Sequence, residues 1–135
     1  MIVLDASMAI SWLLNEPGFS ASELNEVLAT NRVTVPAHWP VEIGNALLMA
    51  VRRKRIDPGR LAQISAELAR LDVAIEPPIE MDELFALIEF SENQGLTLYD
   101  AAYVHLSMTS HSTLATLDEA MRQAATRLRI SILPI

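Results

Sequence analysis

The first seven residues, MIVLDAS (1–7), contain the pattern that decides the fold. The apolar run 2–4 is short and is followed by a polar residue, which is typical of a buried β-strand. A helical pattern, SMAISWLLN (7–15), follows at once, with Ser7 as its predicted N-cap. A strand that leads directly into a helix is typical of α/β folds, in which the strands run parallel.

The same alternation continues to the end of the chain. Further strands are predicted at 33–35, 73–75, 113–116 and 130–133. Helices are predicted at 20–30, 40–54, 57–71, 81–94, from about 97, and at 118–128. Met81, Leu84, Phe85 and Ile88 recur at helical spacing. Short apolar strands separated by helices predict a parallel α/β sheet with helices on both faces.

The bulk composition limits the class of protein. The 135 residues suit one domain, expected over 1–135, and 51% of them are hydrophobic, as in a packed globule. The sequence has no cysteine, signal-peptide pattern or membrane span, so we expect a cytoplasmic protein. The net charge of −7 and the pI near 4.8 argue against a general nucleic-acid binder, which is usually basic.

Four acidic residues occupy equivalent places in this pattern. Asp5 ends the first strand, and Glu42 lies in the first turn of the helix after strand 33–35. Asp100 lies in the first turn of a later helix, and Asp118 follows strand 113–116. The carboxyl ends of parallel strands and the starts of the following helices share one edge of the sheet, where ligands bind. We therefore predict that the four acids converge on that edge.

Each acid also has an explanation as a helix device. Asp5 can cap the next helix, and Glu42 favours the helix dipole. Thr97 and Asp100 have the spacing of a capping box, and Thr116 and Glu119 repeat it, which leaves Asp118 as an ordinary first-turn acid. Four converging carboxylates would nevertheless repel one another, and a divalent cation removes that conflict.

The donor types indicate which cation. All candidate ligands are carboxylate oxygens, which suit Mg²⁺ or Mn²⁺. Such a site suits the hydrolysis of a phosphodiester by a metal-activated water. Ser7, Asn45 and Thr116 lie close to the acids in sequence and are predicted to orient the carboxylates.

Four stretches carry a resemblance to a known family: LDAS (4–7), PVEIGNAL (40–47), LTLYDAAYVHLS (96–107) and LATLDEAMRQAA (114–125). In their order and spacing, they resemble the PIN-domain ribonucleases, in particular the VapC toxins of type II toxin–antitoxin pairs. The resemblance implies a PIN-like three-layer fold, with a five-stranded parallel sheet flanked by helices. It also implies an Mg²⁺- or Mn²⁺-dependent endoribonuclease whose acids are Asp5, Glu42, Asp100 and Asp118.

The resemblance further implies partners. VapC toxins form homodimers, and a cognate VapB-type antitoxin covers their active site. An apolar patch predicted from Trp12, Leu13, Leu14 and Phe19 would suit either partner. The basic run RRKR (52–55) would either complete a helix end or contact RNA.

Two other functions remain open at this point. A receiver-like signalling domain also gathers acids at a sheet edge and binds Mg²⁺. It usually has an adjacent acid pair after its first strand and a lysine near its last, and this chain has neither. The other alternative is a catalytically silent PIN-type binding module, against which the four intact acids argue. The three histidines, His38, His105 and His111, are predicted to be structural or surface residues.

Overall fold

The strands form one parallel sheet. The computed structural model describes residues 1–16 and 21–135. The strands are β1 (Ile2–Leu4), β2 (Val33–Val35), β3 (Val73–Ile75), β4 (Thr113–Ala115) and β5 (Ile132–Leu133). They lie in the order β3-β2-β1-β4-β5, and every neighbouring pair is parallel. The predicted fold class is thus confirmed.

Helices connect the strands. They are α1 (Ala6–Leu13), α2 (Ala21–Thr30), α3 (Trp39–Arg52), α4 (Leu61–Ala69), α5 (Met81–Gln94), α6 (Leu98–Thr109) and α7 (Glu119–Arg127). A short 3-10 turn, Pro58–Arg60, precedes α4 and is capped by Asp57. Gly95 ends α5 in the left-handed conformation with φ 67°, which only glycine adopts at little cost.

The sheet order fixes which helices share a face. Right-handed crossovers from β1 to β2 to β3 place α1 to α4 on one face, and those from β3 to β4 to β5 place α5 to α7 on the other. The packing agrees, because α1 contacts α3, while α6 contacts both α5 and α7. The central strand β1 is buried throughout, whereas the edge strand β3 is partly exposed. This order also differs from the 2-1-3-4-5 order of receiver domains, which excludes that alternative.

Two predicted helix caps are wrong. The cap of α1 is Asp5, whose carboxylate accepts a hydrogen bond from the Ser7 backbone N–H, so Ser7 already lies inside the helix. The cap of α7 is Asp118, whose Oδ1 accepts from the Met121 N–H at 2.9 Å. The predicted pairing of Thr116 with Glu119 fails because the chain is still extended at Asp118 and turns helical only after it.

The predicted apolar patch near Trp12 is also not exposed. Leu13 is buried, and Trp12 and Leu14 are half-buried against the core, where α1 packs against α3. The indole N–H of Trp12 donates to the Asn25 side chain at 2.6 Å. Phe19, the fourth predicted member, lies outside the described residues, as does Ser20 at the predicted start of helix 20–30.

Exposed apolar side chains occur elsewhere, on helices α3 and α5. Met81 is 78% exposed and Phe85 72%, and Ile88 follows on the same side of α5. Val41 and Leu48 on α3 are exposed as well. Helical spacing therefore identified an apolar stripe on α5 without showing that the chain itself covers it. Within 1–16 and 21–135, no helix is long and apolar enough to cross a membrane.

Candidate active site

Asp5 lies at the carboxyl end of the central strand. Its backbone N–H donates to the Ala115 carbonyl at 3.0 Å, which continues the pairing of β1 with β4. This pairing sets Asp5 beside Thr116, the residue that follows β4. The Asp5 side chain is only 3% exposed, and a carboxylate so far from water requires hydrogen-bond donors.

Two hydroxyl groups supply those donors. Ser7 Oγ donates to Asp5 Oδ2 at 2.7 Å, and Thr116 Oγ1 donates to the same oxygen at 2.8 Å. The other oxygen, Oδ1, receives only a long bond of 3.4 Å from the Ser7 backbone N–H. The carboxylate is therefore fixed through Oδ2, while Oδ1 keeps lone pairs for another ligand.

Thr116 connects two of the predicted acids. Its Oγ1 donates to Asp5 and accepts from the backbone N–H of Asp118 at 3.0 Å. The Thr116 side chain is fully buried, so this geometry is fixed by the core. Asp118 in turn caps α7 through Oδ1 and is exposed at the end of the sheet.

Asp100 enters the same region from the first turn of α6. The hydroxyl of Thr97 caps this helix by accepting the Asp100 backbone N–H at 3.2 Å, as the capping-box spacing predicts. Ala101 is buried directly after Asp100, so the helix packs closely against the sheet at this point. Asp100 itself is half-buried.

Glu42 is linked to α6 by a tyrosine. Tyr103 Oη donates to Glu42 Oε1 at 3.0 Å, and the tyrosine ring is fully buried. Tyr103 follows Asp100 by one helical turn, so both residues lie on the same side of α6. His38 also lies close to Glu42, with Nε2 at 2.8 Å from Oε1, although the contact lacks the geometry of a hydrogen bond.

The acids influence one another electrostatically. Burial raises the pKa of Asp5, and this effect is partly offset by its hydrogen bonds from Ser7 and Thr116. Burial also raises the pKa of Asp100, and the negative charges of Asp118, Asp5 and Glu42 raise it further. Each of the four predicted acids therefore contributes to a single region of negative potential.

The acids nevertheless stay apart. No three of them bring carboxylate oxygens within 4.8 Å of one another; among the described residues, only Glu80, Asp82 and Glu83 do so. These three are exposed in and beside the first turn of α5, where acids suit the helix dipole, and their clustering alone does not make a binding site.

The sheet-edge acids fit a hard divalent cation. They offer only oxygen ligands. Asp5 is buried, and its Oδ1 accepts only one long hydrogen bond, so this oxygen has lone pairs left for a cation. Burial first, and then the charges of Asp118, Asp5 and Glu42, raise the pKa of Asp100, and a bound cation would favour the charged carboxylate against both effects. Asp5, Glu42, Asp100 and Asp118 are thus the residues that could hold such a cation.

The remaining predicted groups differ in their involvement. Asn45 is exposed on α3. Among the described residues its amide makes no hydrogen bond, so no observed contact supports its predicted role in orienting the acids. The basic run 52–55 is exposed at the end of α3, where Arg55 pairs with Glu16 at 3.3 Å. Arg122 is a structural residue rather than a surface charge, because it donates to the carbonyls of Thr116 and Pro134.

Tyr103 and His38 were not predicted to be neighbours of the acids. Their spacing could have indicated it, because His38 precedes Glu42 by four residues and Tyr103 follows Asp100 by three, and residues at these spacings are neighbours on a helix. The rings of Tyr103 and His38 also contact each other edge to face, and their centroids lie 5.2 Å apart.

The comparison with known proteins agrees with this geometry. The PIN domain family model matches residues 2–127, which include all four acids. The chain belongs to the PIN-domain family. VapC ribonuclease Mb0985 of Mycobacterium bovis is 30% identical over 118 residues, covering 87% of this chain and 86% of that protein. Ribonuclease VapC3 of Mycobacterium tuberculosis is 30% identical over 130 residues, covering 91% and 86%.

A solved structure has the same PIN fold. The crystal structure of PAE2754 from Pyrobaculum aerophilum aligns with a TM-score of 0.70 and covers 97% of this chain and 81% of that one. The two sequences are 21% identical, so this likeness concerns the fold alone. The family of this chain is set by the sequence relatives, and they are of the VapC type.

Proposed function

We propose that this PIN-domain protein is a metal-dependent endoribonuclease and the toxin of a VapBC-type toxin–antitoxin pair. The observation that carries the proposal is the convergence of Asp5, Glu42, Asp100 and Asp118 at one sheet edge, in a chain whose relatives are named ribonucleases. The substrate would be RNA, and the cofactor Mg²⁺ or Mn²⁺.

The roles of the residues follow from their contacts. Asp5, fixed by Ser7 and Thr116, would offer Oδ1 to the metal, and Asp100 and Asp118 would complete the ligand set. Glu42, oriented by Tyr103, would bind it directly or through water. When bound, the cation would lower the pKa of a water and neutralise charge on the phosphate.

The test is cleavage of total cellular RNA by the purified protein in Mg²⁺, in Mn²⁺ and in EDTA, with the ends of the products mapped. We expect endonucleolytic cuts that depend on the metal and disappear in Asp5→Asn. A folded protein that binds RNA in Mg²⁺ without cutting it would support the catalytically silent alternative. Cleavage that persists in EDTA would exclude the proposed chemistry.

The proposed partners are a cognate VapB-type antitoxin and a second copy of the chain. The exposed stripe of Met81, Phe85 and Ile88 on α5 supports an association surface, because proteins that act as monomers rarely leave such a stripe in water. Sedimentation velocity should show a dimer for the wild-type chain and a shift toward monomer for Phe85→Lys. An unchanged sedimentation coefficient would place the dimer contact elsewhere.

A further inference from the structure

A groove of about 730 Å³ adjoins the acidic edge of the sheet. Its walls are the segments that follow β2 and β3, together with α5 and α6. Its lining is mainly apolar and includes Pro77, Pro78, Ile79, Leu98, Ala102 and Leu106. None of the catalytic roles proposed above uses this groove.

Two aromatic residues connect the groove to the acids. Tyr99 lines the groove, is 65% exposed and directly precedes Asp100 in the first turn of α6. His38 also lines it, contacts Glu42 at 2.8 Å and meets the Tyr99 ring edge to face at 5.6 Å between centroids. A polymer whose phosphate lies at the acids therefore brings its neighbouring unit to the mouth of the groove.

The charge of the lining restricts what that unit can be. Among the described residues that line it, the groove has three carboxylates, Glu76, Asp82 and Glu83, and no arginine or lysine. Carboxylates repel a phosphate, but they accept hydrogen bonds from the amino group of a base, as Asp and Glu do from cytosine N4. Single-stranded RNA is recognised by bases that stack on aromatic rings and hydrogen-bond through their edges.

We propose that the groove binds one base of the RNA substrate, next to the cleaved phosphodiester, and prefers a base that carries an exocyclic amino group. The base stacks on Tyr99, and the carboxylates of Asp82 and Glu83 accept its amino hydrogens. This proposal rests on the proposed ribonuclease function for its biological meaning. The groove's chemistry can nevertheless be tested without cleavage.

The first experiment uses nucleosides, which lack phosphate and cannot be cleaved. Adenosine, cytidine, guanosine and uridine are titrated into the labelled full-length chain, and amide shifts are followed by NMR. We expect shifts at the groove residues, with uridine the weakest ligand. Tyr99→Leu should weaken binding on the order of tenfold or more, as expected when a stacked base loses its ring, while Tyr99→Phe should preserve the wild-type order of ligands.

A second variant and a control separate stacking from base selection. Asp82→Asn combined with Glu83→Gln should remove the disadvantage of uridine while leaving the groove able to stack a base. Leu61→Ala, which removes an exposed apolar side chain from α4 outside the groove, should bind all four nucleosides as the wild type does.

The outcomes distinguish this proposal from the ribonuclease function. If nucleosides leave the groove signals unmoved, or bind Tyr99→Leu as well as wild type, the base site is wrong even if RNA is cut. If RNA is cut, the base preference at one position beside the cut should flatten in Tyr99→Leu. If Tyr99→Leu instead abolishes self-association and keeps nucleoside binding, the groove belongs to a protein partner and the proposal is overturned.

Discussion

Two groups of acids in this molecule differ in everything except charge. The group at the start of α5, Glu80, Asp82 and Glu83, is exposed and brings its oxygens within 4.8 Å. The sheet-edge group, Asp5, Glu42, Asp100 and Asp118, is spread more widely. Within it, Asp5 and Glu42 accept hydrogen bonds from the buried hydroxyls of Thr116 and Tyr103, and burial raises the pKa values of Asp5 and Asp100. We therefore expect burial and the donors that hold a carboxylate to mark a functional acid better than the closeness of carboxylates does.

The physical reason is the cost of burying a charge. An exposed acid is solvated and needs no partner, so a cluster of surface acids can arise from helix preferences alone. Asp5 is almost fully buried, and its Oδ2 is held by hydroxyls from α1 and from the end of β4. We therefore expect this buried carboxylate, at the edge where parallel sheets bind ligands, to serve the proposed site.

The largest expected effect comes from Asp5 itself. Asp5→Asn keeps the size of the side chain but removes its charge, so a metal bound there loses a ligand. Cleavage should fall by more than the roughly 10- to 100-fold that loss of an outer partner costs. The measurement is initial cleavage rate on a mapped RNA, with circular dichroism as a check of folding. Glu80→Gln is the matched control from the α5 group, and it should cut RNA at the wild-type rate.

Thr116→Val tests the anchoring rather than the ligand. The change keeps the shape of the buried side chain but removes the donor to Asp5 and the acceptor for the Asp118 N–H. Activity should fall about 10- to 100-fold. The free energy of unfolding should fall by roughly 1–3 kcal/mol, because polar groups are left without partners. Thr113→Val, at the opposite end of β4, is the control; equal losses in both variants would assign Thr116 a purely structural role.

Tyr103→Phe should have a smaller effect. It removes only the hydroxyl that orients Glu42, while the buried ring keeps its packing. We expect the Mg²⁺ concentration for half-maximal cleavage to rise by about tenfold, the lower end of the range for an outer partner, with little change in rate at saturating metal. A fall in the saturated rate with unchanged metal dependence would mean that Tyr103 acts in another way.

The pH dependence of stability should show the smallest effect. A raised pKa means that folded Asp100 holds its proton more tightly than the unfolded chain does. Its stabilising contribution is fully present below the ordinary pKa of 3.8 and is lost as the pH rises through the raised value. In EDTA, the stability of wild type relative to Asp100→Asn should therefore fall as the pH rises from that region toward neutrality. Denaturant titrations across this range measure the difference, and a difference that grew with pH would contradict the raised pKa.

The same contrast explains what could be predicted from the sequence. The strands and the four acids were predictable, because an acid that ends an apolar run or opens the next helix has only one edge of a parallel sheet to occupy. The anchors were harder to predict, since the bond from Thr116 to Asp5 spans 111 residues and that from Tyr103 to Glu42 spans 61. Such pairs depend on strand register and helix rotation, which local patterns do not contain.

The exposure of apolar side chains could not be predicted from the sequence either. Apolar spacing located α5 correctly, but the same spacing describes a stripe that faces the core and one that faces water, so the exposure of Met81 and Phe85 was not foreseen. Conversely, Leu13 beside Trp12 is buried by α3, a helix distant in the chain. The question at Asp100, whether it serves the helix or the site, has a divided answer, because its backbone N–H is capped by Thr97 while its carboxylate lies among the other acids.

The most direct test of the central claim is Mn²⁺ binding measured by electron paramagnetic resonance on three proteins: wild type, Asp5→Asn and a variant with Glu80, Asp82 and Glu83 all changed to amides. If the anchored acids at the sheet edge hold the metal, the triple variant should bind Mn²⁺ as tightly as wild type, and Asp5→Asn should bind it much more weakly. Binding that survives in Asp5→Asn and is lost in the triple variant would contradict the account.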